Sequence, residues 1–206
     1  MSVVPVGARR PGGRTARTRS AVHDALRLEL VEAGYASTTV EKIADRAGVA
    51  KTTVYRRWGS VDGLVLDLLD ELSRTLIPLP DSGDLDDDLR GLAHGILRVY
   101  QDPGIRAVIE VVVAAAVHDT TARSTLTAFF EARTRQAAQV ARRAVDRGEI
   151  SATTDTVEVI RVLAAPIYYR MFITGEPLDD SVADRAAATA GHAARAGLLV
   201  TQAPPA

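Results

Sequence analysis

One short stretch of the chain concentrates side chains that could recognise a polyanion. Thr38, Thr39, Lys51, Thr52, Thr53, Tyr55, Arg56 and Arg57 all fall between Thr38 and Trp58. Lys51 and Thr52 suit base edges, because a lysine reaches guanine O6/N7 and a threonine methyl meets a thymine methyl. Tyr55, Arg56 and Arg57 suit phosphates, which orient a protein on DNA without reading sequence, although Tyr55 reads equally as core, and Thr53 lies on the same helix. Thr38 and Thr39 open the first of two helices. They either cap it or, with its free N–H groups, hold a phosphate. Trp58 reads as core. Upstream, Arg14 and Arg17, with Arg9, Arg10 and Arg19, form a basic arm. It enters a minor groove, holds the backbone electrostatically or only aids solubility.

These residues need elements to aim them. Thr38 with Glu41 fits a capping box, and Val40, Ile43, Ala44 and Ala47 give the following helix a buried face. Gly48 permits a turn with positive φ, and Val49 and Val54 close a small core around a second short helix. A helix from Thr18, with Val22, Leu26, Leu30 and Val31, precedes them and stops at Gly34. Ser60 caps a fourth, with Leu64, Leu68, Leu69 and Leu72 on one face, ending before Pro78. Two short helices at a fixed angle can insert one of them into a major groove.

The bulk numbers narrow the rest. A hydrophobic content of 47%, much of it alanine, against 4% aromatics in 206 residues predicts an all-α chain with a sizeable core. There is no cysteine, so no disulfide, thiolate metal site or cysteine nucleophile is possible. No apolar run reaches the roughly 20 residues of a membrane span. Residues 1–60 hold 11 Lys/Arg and 5 Asp/Glu, leaving +6, while residues 61–206 hold 14 and 21, leaving −7. An anionic partner at one end only is expected. Residues 1–17 read as a disordered arm, 18–60 as the DNA-binding domain and 61–206 as a helical regulatory body, with the fourth helix, 60–77, as connector. Pro78–Gly83 reads as the loop at the boundary. Five more helices follow, near 84–101, 103–118, 120–147, 154–174 (kinked at Pro166) and 179–200, for about nine in all.

Lookalike motifs fail. Gly48-Val49-Ala50-Lys51-Thr52 lacks the glycine that must precede the lysine of a phosphate loop. Asp84, Asp86 and Asp88 copy the start of a calcium loop, but Leu89 replaces its glycine. His23, His94, His118 and His192 make no metal pair, and no nucleophile elbow is present. No catalytic residue, metal or cofactor is expected, and the chain does not read as an enzyme.

The string Gly34-Tyr35, Thr38-Thr39-Val40, Ile43-Ala44, Ala47-Gly48-Val49, Lys51, Thr53-Val54-Tyr55 and Trp58 resembles the tetracycline-repressor (TetR) family of bacterial transcription regulators. Ala165-Pro166-Ile167-Tyr168-Tyr169-Arg170 and Thr174-Gly175-Glu176-Pro177-Leu178 resemble a subset of it. The resemblance implies a homodimer, with three-helix DNA-binding heads, ligand-binding bodies and a four-helix seam from the last two helices, and the absence of cysteine suits a cytoplasmic setting. A small molecule in the body would spread the heads and release the operator. Where the family often carries a phosphate-contacting lysine at the start of the fourth helix, this chain has Ser60-Val61-Asp62.

A pocket between body helices would be mainly apolar. Tyr100, Glu110, Val111, Phe129, Phe130, Arg133 and Tyr169 are its candidates, with Glu110 and Arg133 as polar anchors. Scarce aromatics argue against a flat multi-ring ligand. Tyr168, Phe172, Ile173, Leu198 and Leu199 are candidates for the dimer seam. The expected function is an operator-binding repressor released by a small apolar effector. A DNA-binding regulator without an effector is the alternative, and a helical carrier or enzyme the remote one.

Overall fold

Apolar residues at helical spacing carry through the structure, a computed structural model that describes the backbone of residues 13–200 and the side chains of 15–200. Arg9, Arg10 and the side chain of Arg14 lie outside the described residues. Among these the elements are helical, with no strand and one isolated bridge, Thr154–Val200. The chain divides into two compact units, Met1–Val65 and Leu66–Ala206.

In the first unit α1 spans Gly13–Ala33, α2 Val40–Ala47 and α3 Lys51–Trp58, and α4 (Val61–Leu76) begins. Val22, Leu26, Leu30, Ile43, Ala44 and Val54 form its core. Helix α1 starts five residues before the expected Thr18, so 13–17 are not part of an irregular arm. Extending an existing helix adds a hydrogen bond per residue without a new nucleus. That turn shows no apolar periodicity because Thr15, Ala16 and Arg17 are exposed. Arg46 binds Glu29 at 2.8 Å and Glu32 at 2.6 Å, tying α2 to α1.

The cap of α2 is shifted from the expected position. Thr39, not Thr38, accepts from the Lys42 N–H at 3.3 Å, so Glu41 does not complete a capping box. Thr38 is buried and donates its hydroxyl to the Gly34 carbonyl at 2.8 Å. Gly48 takes φ +64° at the turn, and its N–H bonds the Asp45 carbonyl. Ser60 Oγ accepts from the Gly63 N–H, capping α4. Gly63 itself is required by packing, since a Cβ there would overlap the Trp58 carbonyl.

The second unit contains the rest of α4, then α5 (Leu85–Gln101), α6 (Pro103–His118), α7 (Thr120–Ala137), α8 (Gln139–Asp146), α9 (Thr156–Tyr169) and α10 (Asp180–Arg195). Helix α10 packs along α5 and α9, and α6 pairs with α7. Asp84, Asp102, Asp119, Asp155 and Asp179 cap α5, α6, α7, α9 and α10 through their side chains. Much of the acidic charge of the body is therefore spent on helix starts.

Four expectations are corrected here. The rod at 120–147 breaks at the buried Ala138, and Arg142 donates to the Arg135 carbonyl at 2.7 Å beside the break. The helix expected over 154–174 is α-helical over Thr156–Tyr169, with Pro166 inside it, and continues as a π turn, Arg170–Thr174, closed by Gly175 N–H on the Arg170 carbonyl. The last helix ends at Arg195, not 200. Gly197 takes φ +70° and the Leu198 N–H returns to the Ala193 carbonyl, a C-terminal glycine motif. The Pro78–Gly83 loop lies inside the second unit, where Arg143 donates to the Pro80 carbonyl and reaches Asp81 at 3.3 Å.

Candidate nucleic-acid interface and ligand cavity

Helix α3 is anchored by Val54, which is fully buried, and by the half-buried Thr53 and Trp58. That leaves Lys51, Thr52, Tyr55, Arg56 and Arg57 exposed on one short element. Thr39 is exposed at the start of α2, and Arg17 in the first turns of α1. Buried Thr38 leaves this set, because its hydroxyl is committed to a backbone carbonyl inside the unit. Arg57 lies 4.7 Å over the Trp58 ring and donates to the Thr15 carbonyl at 3.4 Å, which holds its guanidinium beside α1.

Carboxylates thread this cationic surface. Tyr55 donates to Glu41 at 2.7 Å, and Lys51 stands 3.8 Å from Asp45. The Tyr55 bond lowers the Glu41 pKa and raises that of the phenol, so the pair is a carboxylate with a protonated tyrosine. Sequence reasoning missed Glu41 as part of the surface, having assigned it to the cap. Asp62 accepts from Tyr35 and ties the start of α4 to the 3-10 turn Tyr35–Ser37.

The second unit holds a cavity of about 820 Å³. Leu69, Leu72 and Ser73 of α4, Tyr100 of α5, Phe129, Phe130 and Arg133 of α7, and Tyr168 with Phe172 all line it. All three phenylalanines of the chain are among them. Tyr100 meets Tyr168 edge-on at 5.7 Å and Phe172 at 6.2 Å, and Phe130 meets Tyr168 at 5.4 Å. Aromatics are scarce in the sequence but gathered here, so their scarcity does not argue against an aromatic ligand. Burial pushes both phenols up, Tyr100 most of all, so they line the cavity as neutral groups.

Of the seven expected pocket residues, Tyr100, Phe129, Phe130 and Arg133 line the cavity. Glu110 is exposed on α6, paired with Arg106 at 2.7 Å one turn away. Val111 is half-buried off the lining, and Tyr169 is 57% exposed. Tyr168 and Phe172, expected at the dimer seam, are one helical turn apart on the face that meets Tyr100, and so point inward. Ile173 and Leu198 are exposed at 71% and 70%. Leu199 is half-buried, with its carbonyl accepting from the Asp155 N–H at 2.8 Å. Ser73 was missed, although a hydroxyl on an otherwise leucine-rich buried stripe was a readable signal.

Among the described residues no group of three or more acidic, histidine or cysteine side chains could hold a metal, and no helix is long and apolar enough to cross a membrane. The family model "Tetracyclin repressor-like, C-terminal domain" matches residues 79–190, and "Bacterial regulatory proteins, tetR family" matches 23–68. An HTH-type transcriptional regulator of Mycobacterium bovis, Mb1581, is 37% identical over 155 residues, covering 74% of each chain. AqdR of Rhodococcus erythropolis, also an HTH-type transcriptional regulator, is 29% identical over 176 residues, covering 84% of this chain and 83% of that one. The crystal structure of the TetR family regulator SCO0332 superposes with a TM-score of 0.69 at 26% identity, covering 85% of this chain and 97% of that one.

Proposed function

Because the chain belongs to the tetracycline-repressor family of helix-turn-helix transcriptional regulators, whose members bind DNA and act as dimers, we propose that it is an operator-binding repressor whose affinity is set by a small, largely apolar molecule. The observation that carries the DNA-binding part is the division of α3. Its Val54 is sealed in the core while Lys51, Thr52, Tyr55, Arg56 and Arg57 face outward. Lys51 and Thr52 stand at the helix start, which enters a major groove first. The other three supply phosphate contacts. In this reading the protein works in the cytoplasm, beside the DNA it controls, and performs no catalysis.

The cavity supports the effector part. Its volume falls in the range of small-molecule sites, and apolar side chains dominate its lining. Leu69, Leu72 and Ser73 of α4 line it, and α4 follows α3 after only Gly59 and Ser60. A ligand shifts DNA affinity by its differential affinity for two states, typically worth about 1–3 kcal/mol.

Fluorescence anisotropy on DNA selected by the protein tests the reading. Lys51→Ala and Tyr55→Ala should each weaken binding about tenfold or more at physiological salt, the scale of one lost base or phosphate contact. Unchanged affinity in both would remove α3 from the interface. A screen of small apolar compounds should yield one that releases DNA, and if none does the effector-free regulator becomes the better reading.

A further inference from the structure

We infer that the cavity selects an amphipathic monoacid, an apolar body with a single carboxylate held at Arg133 and Ser73; this rests on the reading of the cavity as the effector site. The aromatic and aliphatic lining receives the body. The head is specified by two polar groups that the protein itself leaves incompletely used.

Arg133 projects from α7 into the lining. Its Nη2 donates to the Ile77 carbonyl at 2.5 Å and its Nη1 to Gln136 at 3.1 Å. Both acceptors are neutral, and no carboxylate pairs with Arg133 among the described residues. Elsewhere in the same unit Arg143, Arg147, Arg161, Arg170 and Arg195 each have a carboxylate within salt-bridge distance. Burial lowers the Arg133 pKa, the sign of a cation removed from water without full compensation. A half-buried cation such as Arg133 gains most from a planar, bidentate anion.

Ser73 provides the second group. Its side chain is buried at 5% exposure, lines the cavity, and its Oγ has no hydrogen-bond partner. It precedes Ile77 by one turn, and the Ile77 N–H bonds the Ser73 carbonyl at 3.0 Å. The free hydroxyl therefore lies one helical turn from the carbonyl that Arg133 grips. Tyr168 and Asp70 both influence the Arg133 charge, yet burial keeps the phenol neutral and Asp70 is paired with Arg74 at 3.0 Å, so neither takes the ligand's place at the guanidinium. One guanidinium and one hydroxyl match a single negative charge rather than a dianion such as phosphate. Glu131 is the one carboxylate in the lining, against Arg133, Arg135 and Arg161.

Isothermal titration of the full chain with 6-phenylhexanoate and with its neutral amide, 6-phenylhexanamide, tests this. The acid should bind about tenfold more tightly than the amide, the scale of one charge-assisted contact. Arg133→Met should erase that ratio, with a far smaller loss for the amide, and Arg133→Lys should restore part of it. Ser73→Ala should weaken the acid several-fold. Melting curves and DNA affinity of the ligand-free variants establish that each is folded. Equal affinity for acid and amide, a preference that survives Arg133→Met, or no binding of either compound would overturn the inference. If the acid binds through Arg133 without changing DNA affinity, the effector reading falls and the monoacid site stands. If the amide releases DNA and the acid does not, the effector reading stands and the monoacid site falls.

Discussion

Tyr55 donates its phenol proton to Glu41 at 2.7 Å, on the same exposed face that carries Lys51. A carboxylate there repels the phosphate that Tyr55 would otherwise bind, and it holds the hydroxyl in a competing bond. Binding DNA therefore requires that bond to be exchanged for one to phosphate, against local like-charge repulsion. Glu41→Gln keeps an acceptor for Tyr55 and removes the charge. It should tighten DNA binding several-fold at low salt, with the gain shrinking as salt rises, because screening erases exposed charge effects. Anisotropy titrations across a salt series measure this. A gain that is independent of salt would mean Glu41 acts through the conformation of α2 instead.

Helix starts dominate the next scale. Asp84 accepts from the Asp87 N–H at 2.9 Å and Asp179 from Ser181 Oγ at 2.6 Å, with Val182 N–H at 3.2 Å. These bonds lower both carboxyl pKa values, through the backbone N–H for Asp84 and the serine hydroxyl first for Asp179. A depressed folded pKa stabilises the folded chain above the unfolded aspartate value of ~3.9. That contribution disappears as pH falls through the lower folded value. Asp84→Asn and Asp179→Asn retain an acceptor oxygen for the helix N–H but do not titrate. The double variant should lose less melting temperature than the parent on acidification below the unfolded aspartate value of ~3.9, where the folded carboxyls become protonated. Superimposable acid limbs in a calorimetric series would show that the caps contribute nothing to acid sensitivity.

At the scale of the whole molecule, the question is which apolar surface meets the partner. Tyr169 and Ile173, together with Pro166, are exposed on one side of α9 and the π turn, while Tyr168 and Phe172 face the cavity. Adjacent residues, about 100° apart around the helix, thus face different surroundings. A Tyr169→Asp/Ile173→Asp variant should sediment as a folded monomer and bind DNA poorly, because two half-sites require two heads. Phe172→Asp should remain dimeric and lose cavity ligands instead. A monomeric Phe172→Asp beside a dimeric Tyr169→Asp/Ile173→Asp would reverse the assignment of the two surfaces.

The sequence alone determined features that depend on local chemistry. Gly48 at the turn, Val54 against the exposed cations of α3 and Ser60 as a cap all act within a few residues, so spacing suffices to place them. Even there, the choice between Thr38 and Thr39 as cap escaped it. Either threonine can accept from a helix N–H, and the carbonyl of Gly34 decided the matter by claiming Thr38. What only the tertiary structure decided were relations between distant segments. Whether Tyr168 or Tyr169 faces inward differs by a rotation of about 100° on the same helix. Tyr100 on a separate helix supplies the inner neighbour that settles it. The gathering of every phenylalanine around one cavity, and the meeting of Arg133 with Ile77 across 56 residues, likewise follow from how α4, α7 and α9 pack. Helical periodicity shows that a residue has a buried side and leaves open what lies against it.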